Sequence, residues 1–304
     1  MALTPAGSVA LPPEAGGSAF DHGDVDLATG HIFVAHTSAG SVEVVDPDRL
    51  LHARTIPACP EASGVLCAQA EGLVFAAARG GGRVLVIDMA TLRTRRAVAS
   101  GPRPNGLAWD DRRGRLLVAD VEDSRARLLD PSSGATEGIV TLPGRPRWCA
   151  YDRERDRFLV NVRDPAGVAV LAAEPFDPAG WWPVSSAGPH GLDLDVAGGR
   201  AFVAADGGTL CALDLASGRE LAAAPIAGVP DAIWYHAAAR VVYVAIGEPG
   251  LVEVIDTETM TRRERITTAP GAHTTAFDRE RQRLAVFVPG AGRVDLYRET
   301  GAAR

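Results

Sequence analysis

A set of polar side chains recurs along the chain at intervals of 42 residues, with one copy displaced by a single residue. The set is Asp21, Ser63, Asn105, Arg147, His190, Asp231 and His273. Four members, Asp21, His190, Asp231 and His273, combine imidazole with carboxylate, the groups that zinc and other first-row divalent metals prefer. If the fold gathers them, they predict a divalent metal site, with His190, His273 and Asp231 as catalytic acid–base groups. The alternative is a wet channel, in which hydration alone accounts for polar side chains.

A second group of side chains predicts where an anionic small molecule would bind. Arg147 belongs to the recurring set, and a guanidinium group suits a carboxylate or a phosphate. Asn105 belongs to the same set, and His36 and Arg163 are expected on loops that open at the same rim. For Arg147 the alternative is a salt bridge to a neighbouring aspartate.

The recurrence of these residues follows from a repeat of short strands. The run "VEVVD" at residues 42–46 returns as "VEVID" at residues 252–256, five intervals of 42 later, and "RVLVID", "RARLLD" and "TLCALD" lie between them. Each is a short apolar or alternating run followed by turn residues, the pattern of a buried or half-buried strand. Further strands share this period and no helix-length pattern appears, which is typical of a β-propeller. Seven copies fit, so we predict an all-β fold: one domain over residues 1–304, with seven blades of four antiparallel strands.

The number of strands also predicts how the ring closes. The seventh copy ends before it can supply an outer strand of its own, whereas "SVALP" at residues 8–12 precedes the first inner strand and lacks a partner. We therefore expect the N-terminal strand to complete the last blade, which would leave no strand edge open within the ring.

Several stretches resemble known propeller families. "ATGHIFVAHTSAGSVEVVD", "RGGGRVLVID" and "IGEPGLVEVIDTET" resemble the repeats of YVTN-type seven-bladed propellers. "RPNGLAWD" and "VPDAIWYH" resemble segments of the gluconolactonase and regucalcin group, and this resemblance implies Asn105 and Asp231 as divalent-metal ligands. It also implies a metal-dependent small-molecule enzyme.

Composition narrows the class of protein. A net charge of −7 over 304 residues argues against a nucleic-acid partner, because phosphate binding needs a basic surface. No apolar run reaches the roughly 20 residues that span a bilayer, so no membrane partner is expected. The first residues lack the pattern of a signal peptide, so we expect a cytoplasmic location.

These observations favour a metal-dependent enzyme of the lactone hydrolase or lyase type, with its site at the mouth of the central channel. The alternative is a non-catalytic propeller that binds a protein or a small ligand. The oligomeric state is left open by the sequence.

Overall fold

Seven four-stranded antiparallel sheets surround a central channel, and each inner strand contacts the inner strands of the two neighbouring sheets. The computed structural model describes residues 2–300 of the chain. Two one-turn 3-10 helices, Arg79–Gly81 and Pro289–Ala291, are the helical segments of this range. Neither could cross a membrane.

The blades are numbered 1 to 7 in chain order, and their strands occupy four positions from the channel outwards. The inner strands are β2 (Phe20–Val25), β6 (Ala62–Ala68), β10 (Pro104–Asp110), β14 (Pro146–Asp152), β18 (Pro189–Asp195), β22 (Pro230–His236) and β26 (Thr275–Asp278). The second strands are β3 (Ile32–His36), β7 (Leu73–Ala78), β11 (Arg115–Asp120), β15 (Arg157–Val162), β19 (Arg200–Ala205), β23 (Val241–Ile246) and β27 (Arg283–Val288).

The remaining strands form the outer half of each blade. The third strands are β4 (Ser41–Asp46), β8 (Arg83–Asp88), β12 (Arg125–Asp130), β16 (Gly167–Ala173), β20 (Thr209–Asp214), β24 (Leu251–Asp256) and β28 (Arg293–Thr300). The outer strands are β1 (Ala2–Ala10), β5 (Leu51–Ile56), β9 (Arg93–Ala99), β13 (Ala135–Thr141), β17 (Phe176–Pro183), β21 (Glu220–Pro225) and β25 (Thr261–Thr267). The predicted all-β propeller with seven four-stranded blades is therefore confirmed.

The ring closes through its first strand, as predicted. Strand β1 pairs antiparallel with β28, and Val9 lies opposite Val294. Val9 and Leu11 pack in an apolar cluster with Phe287 of blade 7 and Ile32 of blade 1. The strand is longer than the predicted segment, because pairing already begins at Ala2.

Packing between neighbouring blades supplies the core. Seven apolar clusters occur, one at each blade–blade interface. The second strands are buried on both faces, so they are apolar without alternation, as in "IFVAH" of β3. At the ends of third strands, aspartates such as Asp46 and Asp256 accept hydrogen bonds from amides two and three residues on, which fixes the turns.

Bulges at the start of the inner strands position the recurring polar residues. Pairing with the second strand is interrupted between Pro104 and Leu107, and the same interruption occurs in β2, β6, β14 and β22. In β18 the interruption is one residue shorter, between Pro189 and Gly191, which explains the displaced copy in the repeat. A bulge frees side chains from the alternation of the strand and re-aims them. Here the bulges lie at one end of the channel.

Candidate functional site

Six of the seven recurring residues line one cavity at the mouth of the channel. The cavity measures about 740 Å³, a volume typical of small-molecule sites. The six are Asp21, Asn105, Arg147, His190, Asp231 and His273. Ser63 is instead fully buried and donates a hydrogen bond of 2.9 Å to the carbonyl of Pro104.

A chain of hydrogen bonds and ion pairs crosses four blades along this rim. Arg163 contacts Asp206 at 2.8 Å, and the other oxygen of Asp206 lies 2.9 Å from Nδ1 of His190. Nε2 of His190 lies 3.3 Å from Oδ1 of Asp231, whose Oδ2 lies 2.7 Å from Nδ1 of His273. We name these five residues the rim relay.

The two histidines of the rim relay differ in whether a ring nitrogen is left open to the cavity. Nδ1 of His190 is hydrogen-bonded to Asp206 and its Nε2 faces Asp231, so neither ring nitrogen is open to the cavity. His273 donates from Nδ1 to Asp231, which leaves its Nε2 as the open nitrogen of a half-buried ring that lines the cavity. His273 is therefore the acid–base group of the relay, whereas His190 holds Asp231 in place.

The electrostatics of the relay agree with this assignment. Burial alone would raise the pKa of Asp231, but the charge of His190 and the hydrogen bond from His273 outweigh it and lower that pKa. Burial lowers the pKa of His273, but the hydrogen bond and charge of Asp231 outweigh it and raise that pKa. A histidine oriented by a carboxylate in this way is suited to accept and return a proton.

On the opposite side of the mouth, Asp21 is already paired. Its Oδ2 lies 2.8 Å from a guanidinium nitrogen of Arg79, and that nitrogen also donates to Asn105 at 3.0 Å. The other carboxylate oxygen of Asp21 lies 3.3 Å from Nε2 of His22. This group of four closes the rim across blades 1 to 3.

Trp148 forms the floor of the cavity. Its indole ring, from blade 4, stacks on His22 of blade 1 with centroids 4.1 Å apart and an interplanar angle of 19°. The indole Nε1 donates to Asp231 of blade 6 at 3.1 Å. Below these rings a second cavity of about 120 Å³ continues the channel, so Trp148 and His22 separate two chambers.

Arg147 differs from the other arginines of the described range. It is half-buried and lines the cavity, yet it has no carboxylate within ion-pair distance and makes no hydrogen bond through its guanidinium group within residues 2–300. Its Nε is buried without an acceptor. Burial lowers the pKa of Arg147, and the charges of Arg145 and Arg163 lower it further. An unpaired, partly desolvated guanidinium in a cavity is a binding group for an anion.

The donor set at the mouth does not fit the predicted divalent metal. Both oxygens of Asp231 and both ring nitrogens of His190 are engaged in the relay, and Asp21 is paired with a guanidinium. Within residues 2–300, no three His, Cys, Asp or Glu side chains are grouped so that they could hold a metal ion. The metal role of Asp21, His190, Asp231 and His273 stays a prediction, and no step below uses a metal.

Two predicted binding residues lie outside the cavity. His36 is fully buried, tilts against Phe20 with centroids 4.7 Å apart, and lies 3.4 Å from Glu43 inside the ring. It ends β3, whose five residues are all buried, so its side chain packs inside the ring. Arg163 holds Asp206 in the relay instead of lining the cavity.

Sequence reasoning did not single out Trp148 as part of the site. One signal could have found it, because the residue after each recurring position is mostly small: Gly64, Gly106, Gly191, Ala232 and Thr274. A Cβ at Gly106 would lie 2.2 Å from the carbonyl oxygen of Arg147, so close blade packing requires glycine there. Blades 1 and 4 alone have large rings at this position, and these rings meet across the channel.

Comparison with known proteins bears on the fold. No protein-family model matches the chain, and no curated protein matches it in sequence. Among solved structures 1784 chains match, including hydrazine synthase of Kuenenia stuttgartiensis. That structure is 11% identical, with a TM-score of 0.83 over 95% of this chain and 97% of the other. The match establishes the fold alone. Because one fold supports many functions, the resemblances to YVTN-type propellers and to the gluconolactonase group stay predictions.

Proposed function

We propose that the protein is an enzyme that acts on a small anionic molecule at the mouth of its channel, by lactone hydrolysis or lyase-type elimination. One observation carries the proposal. Within residues 2–300, the buried and half-buried ionisable side chains that line the mouth are paired with one another except at Nε2 of His273 and at the guanidinium of Arg147, while the unpaired Arg145 is exposed at the rim. One open base and one open cation in a shared cavity are what a reaction on a bound anion needs.

Both reactions use the same proton transfer. In lactone hydrolysis, Nε2 of His273 accepts a proton from the water that adds to the carbonyl, and returns it to the ring oxygen as the C–O bond breaks. In elimination, Nε2 accepts the proton next to a carboxylate held by Arg147, and returns it to the departing group. Asp231 stabilises the imidazolium formed in between. The proton is returned in each cycle, so neither route consumes an oxidant or a reductant.

The test is turnover of a panel of sugar lactones and hydroxy acids by wild type, His273→Gln and His31→Gln. We expect kcat to fall by about a hundredfold or more in His273→Gln. His31 is half-exposed and lies 3.8 Å from Asp46, away from the mouth, so His31→Gln is the matched control and should keep wild-type activity.

Two further results would overturn parts of the proposal. Ligand binding without turnover of any panel member would favour the non-catalytic binding module. A stoichiometric metal in protein purified without a histidine tag, lost in the His190→Ala/His273→Ala double variant, would restore the metal-dependent mechanism.

A further inference from the structure

We infer that the mouth selects a ligand whose anionic end carries two negative charges, held jointly by Arg145 and Arg147. The inference rests on the anion site of the proposed function and names its ligand class: a phosphate monoester or a dicarboxylate. These two share one chemistry, a dianionic group of oxygens.

Two unpaired guanidinium groups, one half-buried and one exposed, come from one short segment. Arg145 and Arg147 flank Pro146 at the start of β14, and both line the cavity. Within residues 2–300, neither guanidinium has a carboxylate within ion-pair distance or a hydrogen-bond acceptor. The two groups are near enough for the charge of Arg145 to lower the pKa of Arg147, after the larger effect of burial. An anion between them would remove this repulsion.

Two other arginines of the rim are paired with carboxylates, unlike Arg145 and Arg147. Arg79 is paired with Asp21 at 2.8 Å and Arg163 with Asp206 at 2.8 Å. These two rim guanidiniums thus have carboxylate partners within the protein, whereas Arg145 and Arg147 have none within residues 2–300. Two unmatched cations on one side of a cavity call for two negative charges on the ligand.

The local charge around the mouth also favours an anion. The mouth has four guanidinium groups, Arg79, Arg145, Arg147 and Arg163, against the four carboxylates of Asp21, Asp206, Asp231 and Glu248. The whole chain carries a net charge of −7. The charges of the mouth therefore balance on a protein that is acidic as a whole, which makes the mouth a more favourable place for an anion than the rest of the surface. The chain has no lysine, and guanidinium groups bind phosphate and carboxylate through two parallel hydrogen bonds.

The test measures affinity calorimetrically at about pH 8 and constant ionic strength, where inorganic phosphate is mostly dianionic. The dianionic probes are inorganic phosphate and malonate, and the monoanionic probes are dimethyl phosphate and acetate. The variants are Arg145→Gln, Arg147→Gln and the matched control Arg54→Gln, which removes an exposed arginine of the outer strand β5. We expect wild type and Arg54→Gln to prefer dianions by about tenfold or more, and Arg145→Gln to lose that preference.

Each outcome decides a separate point. Tight phosphate with weak malonate supports the inference and identifies a phosphate monoester, and the reverse identifies a dicarboxylate. Equal affinity for monoanions and dianions in wild type overturns the inference and leaves the anion site of the proposed function intact. Absence of binding by every probe, or binding that Arg147→Gln does not weaken, overturns the anion site itself.

Discussion

Replacing Arg147 with methionine should stabilise the ligand-free protein, although it removes a side chain proposed to be functional. The guanidinium is half-buried without an ion pair, and its Nε–H is buried without an acceptor. An unsatisfied buried donor costs about 1–3 kcal/mol. Methionine keeps an unbranched apolar stem that can fill the same space. We therefore expect the free energy of unfolding to rise by about 1–2 kcal/mol, which corresponds to roughly 2–4 °C in Tm for a chain of this size.

The matched control applies the same substitution to a paired arginine. Nε of Arg127 lies 2.5 Å from Oδ2 of Asp120, a fully buried carboxylate, and another nitrogen of Arg127 lies 2.6 Å from Asp123. Arg127→Met would leave Asp120 buried without its cation, which costs about 3–5 kcal/mol. The two variants should thus move Tm in opposite directions.

The assay is thermal and urea denaturation of wild type, Arg147→Met and Arg127→Met followed by circular dichroism at neutral pH. A gain in stability together with a loss of anion affinity in Arg147→Met would show that the chain keeps an unfavourable charge for binding. An Arg147→Met variant less stable than wild type would refute the reasoning, because it would mean that the guanidinium already has a stabilising partner in the ligand-free protein.

Two further predictions concern the closure of the ring and its acid stability. Val9→Asp places a charge in the buried cluster where β1 closes the ring, so it should lower Tm by several degrees. The control Ala10→Asp changes an exposed residue opposite Arg293 and should leave Tm nearly unchanged. Equal effects of the two substitutions on Tm would contradict closure by β1. Burial alone would raise the pKa of Glu43, but His36 at 3.4 Å and hydrogen bonds from Ser41, Thr55 and His52 outweigh it and lower that pKa from 4.5 to about 2. A lowered carboxyl pKa stabilises the fold above the unfolded pKa and this stabilisation is lost as pH falls. Urea denaturation should therefore show Glu43→Gln less stable than wild type by roughly 3 kcal/mol near neutral pH. This difference in the free energy of unfolding should disappear as the pH falls from about 4.5 to about 2. A difference that does not change with pH would contradict the lowered pKa of Glu43.

The architecture could be predicted because each blade repeats the same physical problem. A strand such as Val42–Asp46 must be apolar to pack between two blades, and the aspartate after it must accept turn amides, so both features recur every 42 residues. Whereas β26 pairs with β27 without an interruption, the bulge at the start of the inner strand recurs in the other six of the seven blades for the same reason. The polar residues that it exposes could therefore be found by counting, and six of them share one cavity.

The chemistry of the mouth could not be predicted in the same way, because it depends on side-chain distances instead of the backbone period. The place of His190 in the repeat does not reveal Asp206, which binds its Nδ1, so that an expected base becomes a positioning group. His36 ends β3, a strand that is buried on both faces. The sequence of such a strand does not alternate between polar and apolar residues, so it cannot show whether the His36 side chain faces the cavity or the interior. Trp148 contacts His22 and Asp231 across the channel, and these residues are too far apart in the sequence for a local pattern to predict the contacts.

The floor made by Trp148 and His22 has a consequence for how the protein would work. Because the stacked rings divide the channel, we expect the cavity at the mouth to have a single opening. Substrate and product would then enter and leave through that opening. Bound product then blocks the entry of substrate. Accumulated product should therefore inhibit turnover in competition with substrate. Trp148→Ala removes the indole that separates the two cavities, and this variant should show weaker product inhibition.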